Sequence, residues 1–111
     1  HRLSEYVWEE QNQVSAMLSF GDTADTDLAE AFEIWRIYVA PQFQKKGIGK
    51  LLLEFAEKQA KRQGYKRIVI WAFKDNYRAV SFYQKHGYCI DKEEYLGEPY
   101  LAIGTRLKKE I

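Results

Sequence analysis

The hexapeptide Gln44-Lys45-Lys46-Gly47-Ile48-Gly49 combines the residue types needed to hold an anion. Its two glycines let the backbone approach a ligand that a Cβ would keep away. Lys45 and Lys46 within it, and Lys50 directly after it, add positive charge. An apolar run ending in proline, Ile34 to Pro41, precedes the segment, and an amphipathic helix pattern starting at Lys50 follows it. A strand therefore runs into a loop, and the loop opens a helix. The first amides of a helix have no partner inside it and carry the positive end of its dipole. The chemistry of that layout is phosphate binding. The same residues also read as a glycine-rich strand-to-helix turn without a ligand.

Elimination narrows the phosphate ligand. A P-loop needs Gly, four residues, then Gly-Lys-Ser/Thr, but Gln44 stands at the first glycine and Leu51 follows Gly49-Lys50. A dinucleotide fingerprint needs a third glycine where Leu52 stands. What remains, Gln44-x-x-Gly47-x-Gly49 after a strand, resembles motif A of the GNAT N-acetyltransferase superfamily. A second stretch, Asn76-x-x-Ala79-x-x-Phe82-Tyr83-x-x-x-Gly87-Tyr88, resembles motif B of that family. A further strand, Arg67 to Phe73, lies between the two motifs, as the family order requires. The resemblance covers roughly residues 5–108 and is poorest before residue 32.

The resemblance implies acetyl-CoA as cosubstrate, with its pyrophosphate on the amides of Gln44, Lys45, Lys46, Gly47, Ile48 and Gly49. Lys50 adds charge. It further implies that backbone groups of Ile37 and Val39, on the strand segment Ile37-Tyr38-Val39, pair with the pantetheine arm and the acetyl carbonyl. Asn76 would hydrogen-bond that arm and cap a helix. Glu33 lies eleven residues before Gln44, an offset at which some members carry a general base. Its apolar neighbours Phe32, Ile34 and Trp35 would raise its pKa, and an ordinary strand-end glutamate is the alternative. Tyr83 stands where motif B often places a general acid, and a core aromatic is its alternative. Glu93 and Glu94 are weaker competitors for the base. The implied activity is transfer of an acetyl group to a primary amine by direct attack in a ternary complex. A catalytically silent acyl-CoA-binding or regulatory module is the other reading. The family's acceptors are too varied to name one here. A homodimer is an option because members of the family often dimerise.

The elements that must position these residues follow from periodicity. Glu5–Glu10 and Gln13–Phe20 read as strands joined by a turn, Gly21–Leu28 as a polar loop and Ala31–Ala40 as a third strand stopped by Pro41. The helix Gly47–Gln63 places Ile48, Leu51, Leu52, Phe55, Ala56 and Ala60 on one face and ends at Gly64. Arg67–Phe73 is a nearly continuous apolar strand, the pattern of a strand covered on both faces. A helix over Asn76–His86 carries Ala79, Phe82, Tyr83 and His86 on one stripe. Tyr88–Tyr95 and Tyr100–Leu107, separated by Gly97-Glu98-Pro99, form a final hairpin. A right-handed crossover makes strands 31–40 and 67–73 parallel neighbours. The predicted class is α/β in the layered α+β sense: a mixed, mostly antiparallel sheet with a central parallel βαβ pair. In the family this pair splays apart to admit the pantetheine.

Length and composition set outer limits. The chain has 111 residues, the size of one domain, so residues 1–111 are read as a single acyl-CoA-binding acetyltransferase domain. An apolar content of 46% with 17 aromatics supplies a core and excludes disorder. No apolar run nears the ~20 residues of a membrane span. The one cysteine, Cys89, excludes an internal disulfide and fits a reducing, cytoplasmic setting. As a strand-opening residue it reads as small packed filler. No His, Cys or Asp spacing suggests a metal. Residues 1–33 hold eight acids and one base, and residues 34–111 eight acids and sixteen bases. That −7/+8 split disfavours a nucleic-acid binder and suits an enzyme joining an anionic cofactor to a cationic acceptor. The acids Asp22, Asp25, Asp27, Glu30 and Glu33 follow one another without a base between them, so they are expected either to attract the amine or simply to solvate a loop. The family's usual first strand and following helices have no counterpart here. The expectation is that Val14, Ala16, Leu18 or their opposite-face neighbours are under-covered, and that upstream sequence or a second chain supplies the cover.

Overall fold

A computed structural model describes residues 3–10, 12–44 and 47–111. Lys45 and Lys46, expected in the anion loop, lie outside the described residues. The elements run β1 (Leu3–Glu10), β2 (Gln13–Asp22), β3 (Ala31–Val39), α1 (Ile48–Arg62), β4 (Arg67–Phe73), α2 (Tyr77–Lys85), β5 (Cys89–Tyr95) and β6 (Ile103–Glu110). A short 3₁₀ turn over Pro41–Phe43 links β3 to the loop before α1. The six strands form one sheet in the order β1-β2-β3-β4-β6-β5. All neighbours are antiparallel except β3 and β4. This is the expected mixed sheet with a central parallel pair joined through a helix.

The central pair carries the feature that matters most. Parallel pairing covers only Ala31–Ile34 against Arg67–Ile70. Beyond that point each strand follows its outer neighbour: β3 stays on β2 through Val39↔Ala16, and β4 stays on β6 through Phe73↔Gly104. The sheet therefore opens between β3 and β4. A β-bulge sits at the same level, because Ser19 opposes Arg36 while Phe20 opposes Ile34, which leaves Trp35 as the extra residue. A bulge bends its strand and increases the local twist, so β3 is turned away from β4 where their pairing stops.

The core lies under α1. Ala16, Leu18 and Phe20 of β2, Phe32 and Ile34 of β3, and Ile68 and Ile70 of β4 pack with Leu52, Leu53, Ala56 and Ala60. Burying a Phe or Leu side chain is worth about 1.5–3 kcal/mol, so this cluster is what fixes α1, and with it the loop at its start, against the sheet. The predicted helix face is rotated by part of a turn. Leu53 is buried, whereas Leu51, expected inward, is 62% exposed. On α2, Tyr83 is buried with Ala79 and Phe82 beside it, as the stripe predicts.

Three other expectations change. Ala16 and Leu18 are fully covered by the core and only Val14 of that trio is exposed, while Tyr6, Val7 and Trp8 of β1 present apolar surface. Cys89 opens β5 as expected but is exposed rather than packed, since β5 is an edge strand. The last strand begins at Ile103 and runs to Glu110, shifted three residues toward the C-terminus from the apolar pattern Tyr100–Leu107 at both ends. Residues 97–102 are taken by a turn closed by Leu101 N–H to Gly97 O at 2.6 Å and Leu96 N–H to Ala102 O at 2.9 Å. At the far end Lys108, Lys109 and Glu110 pair with Val69, Ile68 and Arg67, so polar residues are held in the sheet by ladder bonds that hydropathy does not reveal. No helix among the described residues is long and apolar enough to cross a membrane.

Candidate active site

Two cavities, each of about 660 Å³, meet at the opening of the sheet. Both are lined by Ile37, Asn76, Ala79 and Tyr83. Ile37 comes from the diverging half of β3, and the other three come from the cap and inner face of α2.

The first cavity gathers most of the predicted cofactor residues. Ile37, Tyr38, Val39, Gln44, Gly47, Ile48, Gly49, Lys50 and Asn76 all line it. Gly47 is the N-cap of α1 with φ +76°, a left-handed conformation that favours glycine. Among the described residues no side chain caps α1, and no acid stands in its first turn, so the amides at the start of the helix are available to an anion. At Gly49 an added Cβ would lie 3.0 Å from Phe82 Cζ, so any larger residue would require the Phe82 ring to shift. The Gln44 side chain donates to Val39 O at 3.0 Å and ties the loop to the end of β3. Ala40 N–H bonds Ser15 O on β2 at 2.9 Å. Strand alternation therefore turns the backbone groups of Val39 and Ile37 away from β2, toward the opening. Asn76 Oδ1 accepts from Ala79 N–H at 3.3 Å, which is the predicted N-cap. His86 stacks edge-on against Phe82 at 4.6 Å, a packing contact.

The second cavity holds the predicted carboxylate. Glu33 is buried on β3, and burial pushes its pKa above the ordinary carboxylate range, partly offset by the Thr23 hydroxyl. That hydroxyl donates to Glu33 Oε1 at 2.7 Å and accepts from Asp25 N–H at 3.1 Å. Asp25 and the buried Arg106 act in opposite directions on Glu33, the aspartate raising its pKa and the arginine lowering it. Tyr83 is buried and desolvated, which pushes its phenol up to about 12 and keeps it protonated at neutral pH. Glu94 lines this cavity too, whereas Glu93 pairs with Lys74 at 3.3 Å.

Arg106 is a residue that the sequence did not single out. Its side chain is 3% exposed on β6. All five of its N–H donors are used: Nε and Nη2 on Asp91 at 2.9 and 3.0 Å, Nη1 on Asp25 at 3.1 Å, and Nη1 and Nη2 on Asp27 at 2.8 and 2.9 Å. The guanidinium holds Asp27 down at about 2. Trp71 Nε1 also donates to Asp25 Oδ2, at 3.0 Å. The loop between β2 and β3 is thus clamped onto β4, β5 and β6. Asp25 and Asp27, expected to face an amine, already have a cation. The available signal was Arg106 itself, a lone guanidinium between Thr105 and Leu107 in an otherwise neutral strand segment, but nothing local names its partners. Among the described residues no group of His, Cys, Asp and Glu could hold a metal ion.

The sequence model of the Acetyltransferase (GNAT) family matches residues 1–88. The spermidine N(1)-acetyltransferase of Thermoplasma acidophilum is 34% identical over 64 residues, 58% of this chain and 40% of that protein. The peptidyl-lysine N-acetyltransferase YiaC of Escherichia coli is 26% identical over 85 residues, 77% of this chain and 49% of that protein. A GNAT family acetyltransferase from Elizabethkingia anophelis, solved with acetyl-CoA bound, superposes with a TM-score of 0.77 at 26% identity, covering 96% of this chain and 75% of that one. The chain spans less than half the length of the curated relatives it matches. With the family model matching well over half of the sequence and the fold shared with solved members, the chain belongs to the GNAT acetyltransferase family.

Proposed function

We propose that the chain is an acetyl-CoA-dependent N-acetyltransferase in which cofactor and amine enter from different cavities and meet at the opening between β3 and β4. The observation that carries this reading is the sharing of Ile37, Asn76, Ala79 and Tyr83 by both cavities. The anion end of the cofactor fits the uncapped start of α1, where Gly47 and Gly49 bring the backbone close. Acetyl-CoA supplies the thioester whose acyl carbon is transferred. The backbone edge of Ile37 and Val39 orients the arm that reaches the opening and polarises its carbonyl. Asn76 contributes its side-chain amide nitrogen, which lies outside the capping bond. On the amine side, Glu33 takes a proton from the ammonium, directly or through water, and the free amine attacks the acyl carbon. Its raised pKa suits that exchange better than an ordinary carboxylate does. Tyr83, protonated at neutral pH, gives a proton to the departing sulfur.

The test is thiol release from acetyl-CoA with a panel of amines, together with calorimetric binding of CoA. Wild-type protein should bind CoA and release thiol only when an amine is present. Glu33→Gln should lower turnover by about 10²–10⁴-fold, the usual contribution of a general base, while CoA affinity stays close to normal. CoA binding without amine-dependent release from the wild type would instead identify a silent acyl-CoA-binding module.

A further inference from the structure

We infer that the acceptor is a monoamine with an aromatic or similarly flat apolar body, rather than a polyamine. This rests on the acetyltransferase reading above. Its source is the wall of the second cavity, which no catalytic step uses. Trp71, Phe73, Tyr95 and Tyr100 line that wall. Phe73 is 42% exposed, Tyr95 63% and Tyr100 60%, so these rings are not spent on the core. Phe73 and Tyr100 nevertheless contact each other, with centroids 5.7 Å apart at 55°. They come from β4 and from the turn between β5 and β6, so a ligand lying across the pair would touch two separate elements. Aromatic faces attract both flat apolar groups and ammonium ions.

The charges decide between these two. A polyamine needs a second anionic site at a distance from the first. Asp25 is bound by Arg106 and by Trp71 Nε1. Glu94 lies 3.8 Å from Lys92 Nζ. Arg36 also lines the cavity and would repel a second ammonium. Among the described residues Glu33 is the one carboxylate lining this cavity without an ion pair, and it accepts instead from the neutral Thr23 hydroxyl and the Ala24 backbone. The cavity therefore has one place for a cation, at the base, and aromatic surface for the rest of the molecule. A volume of about 660 Å³ suits a compact amine of that kind.

The experiment uses the CoA-loaded protein and four probes: 2-phenylethylamine, methylamine, spermidine and an Ala-Lys-Ala peptide. Binding is read from tryptophan fluorescence, since Trp71 and Trp35 line the cavity, and acetyl transfer from thiol release. The expected result is quenching by 2-phenylethylamine and a higher kcat/KM for it than for the other three. Tyr100→Ala should raise its KM by about three- to tenfold, the worth of an aromatic contact, and should move the KM of methylamine less. Tyr100→Phe should restore it. Faster transfer to spermidine or to the peptide overturns the acceptor class and leaves the acetyltransferase reading intact. Quenching by 2-phenylethylamine without transfer to any amine overturns the acetyltransferase reading and the acceptor assignment with it, leaving a cavity that only binds aromatic amines. Failure of 2-phenylethylamine to bind the CoA-loaded protein overturns the class outright.

Discussion

The two cavities are equal in volume and share four residues, yet they are built from different material. The one beside α1 offers more backbone, a left-handed glycine, helix-start amides and the inner edge of β3, next to the side chains of Arg78, Phe82, Lys85 and His86. The one beside Glu33 is made of side chains brought from the β2–β3 loop, from β3 and β4, and from the β5–β6 hairpin. Backbone recognition is insensitive to most substitutions but cannot tolerate a Cβ at a close approach. Side-chain recognition can be rewritten one residue at a time. A family that keeps one cosubstrate and varies its acceptors would be expected to divide its labour this way. On the function proposed above, the first cavity would fix what is delivered, and the second would select what receives it.

The shared constriction is where that division should be broken first. Tyr83→Phe removes the phenolic proton without changing the ring that packs on Tyr88 at 6.2 Å. Turnover should fall by about 10²-fold, with the unfolding midpoint and CoA affinity near wild type. Stopped-flow thiol release combined with urea denaturation checks both. An unchanged rate would mean that the leaving sulfur is protonated by solvent and that Tyr83 is only part of the core.

The next effect concerns the side-chain half alone. Arg106→Leu leaves Asp25, Asp27 and Asp91 facing one another without their cation. Removing one partner of an enclosed ion pair is strongly destabilising. Here Asp27 remains half exposed and water screens it, so the loss should be on the order of 2 kcal/mol, read from the urea midpoint. CoA affinity should change far less than amine KM, because the clamp touches only the acceptor cavity. Equal losses on both sides would show that the two halves are not separable.

The backbone half has the converse test. Gly47→Val puts a β-branched residue at φ +76°, and Gly49→Val drives a methyl into Phe82. Each should weaken CoA binding at least about tenfold, or about 1.4 kcal/mol, by calorimetry. Tryptophan quenching by an amine at saturating CoA should survive. If both variants bind CoA normally, the anion site is not at this loop.

These tests fall on residues that were unevenly legible. Gln44, Gly47 and Gly49 stand out in the sequence because anion binding by backbone demands glycine at fixed positions next to a helix start. Asn76 and Tyr83 stand out through the resemblance to motif B, and Asn76 also because an asparagine suits a helix N-cap. The order of strands and helices follows from periods of 2 and 3.6, and the parallel pair follows from crossover handedness. The opening of the sheet does not follow from them, because it depends on a bulge at Trp35 set by the register with β2. Arg106 and Thr23 were invisible for a related reason. Arg106 lies 79 residues from Asp27 along the chain, and Thr23 reaches Glu33 across the width of a loop. Hydropathy cannot see a polar residue buried by its partners, and it rotated the α1 stripe because Leu51 and Leu53 look alike until the sheet is in place.

The smallest effect tests the finest feature of the acceptor half, the hydroxyl on Glu33. A hydrogen bond donated to a carboxylate stabilises its charged form and lowers its pKa. Thr23 Oγ1 donates such a bond at 2.7 Å, against the upward push of burial and of the nearby Asp25 charge. Thr23→Val removes the donor and keeps the shape of the side chain, so the Glu33 pKa should rise further. Glu33 acts as a base only when deprotonated, and the rising limb of the rate against pH follows its titration. That limb should therefore move to higher pH in Thr23→Val, with kcat at the plateau falling less than in Glu33→Gln. Thr23→Ser keeps the donor and should return the limb to its original position. The same hydroxyl accepts from Asp25 N–H at 3.1 Å, so a loosened loop is the competing explanation. Loosening would lower the rate at every pH and, by admitting water, would leave the limb in place or move it to lower pH. A limb that stays in place, or moves to lower pH, would remove Thr23 from the tuning of the base.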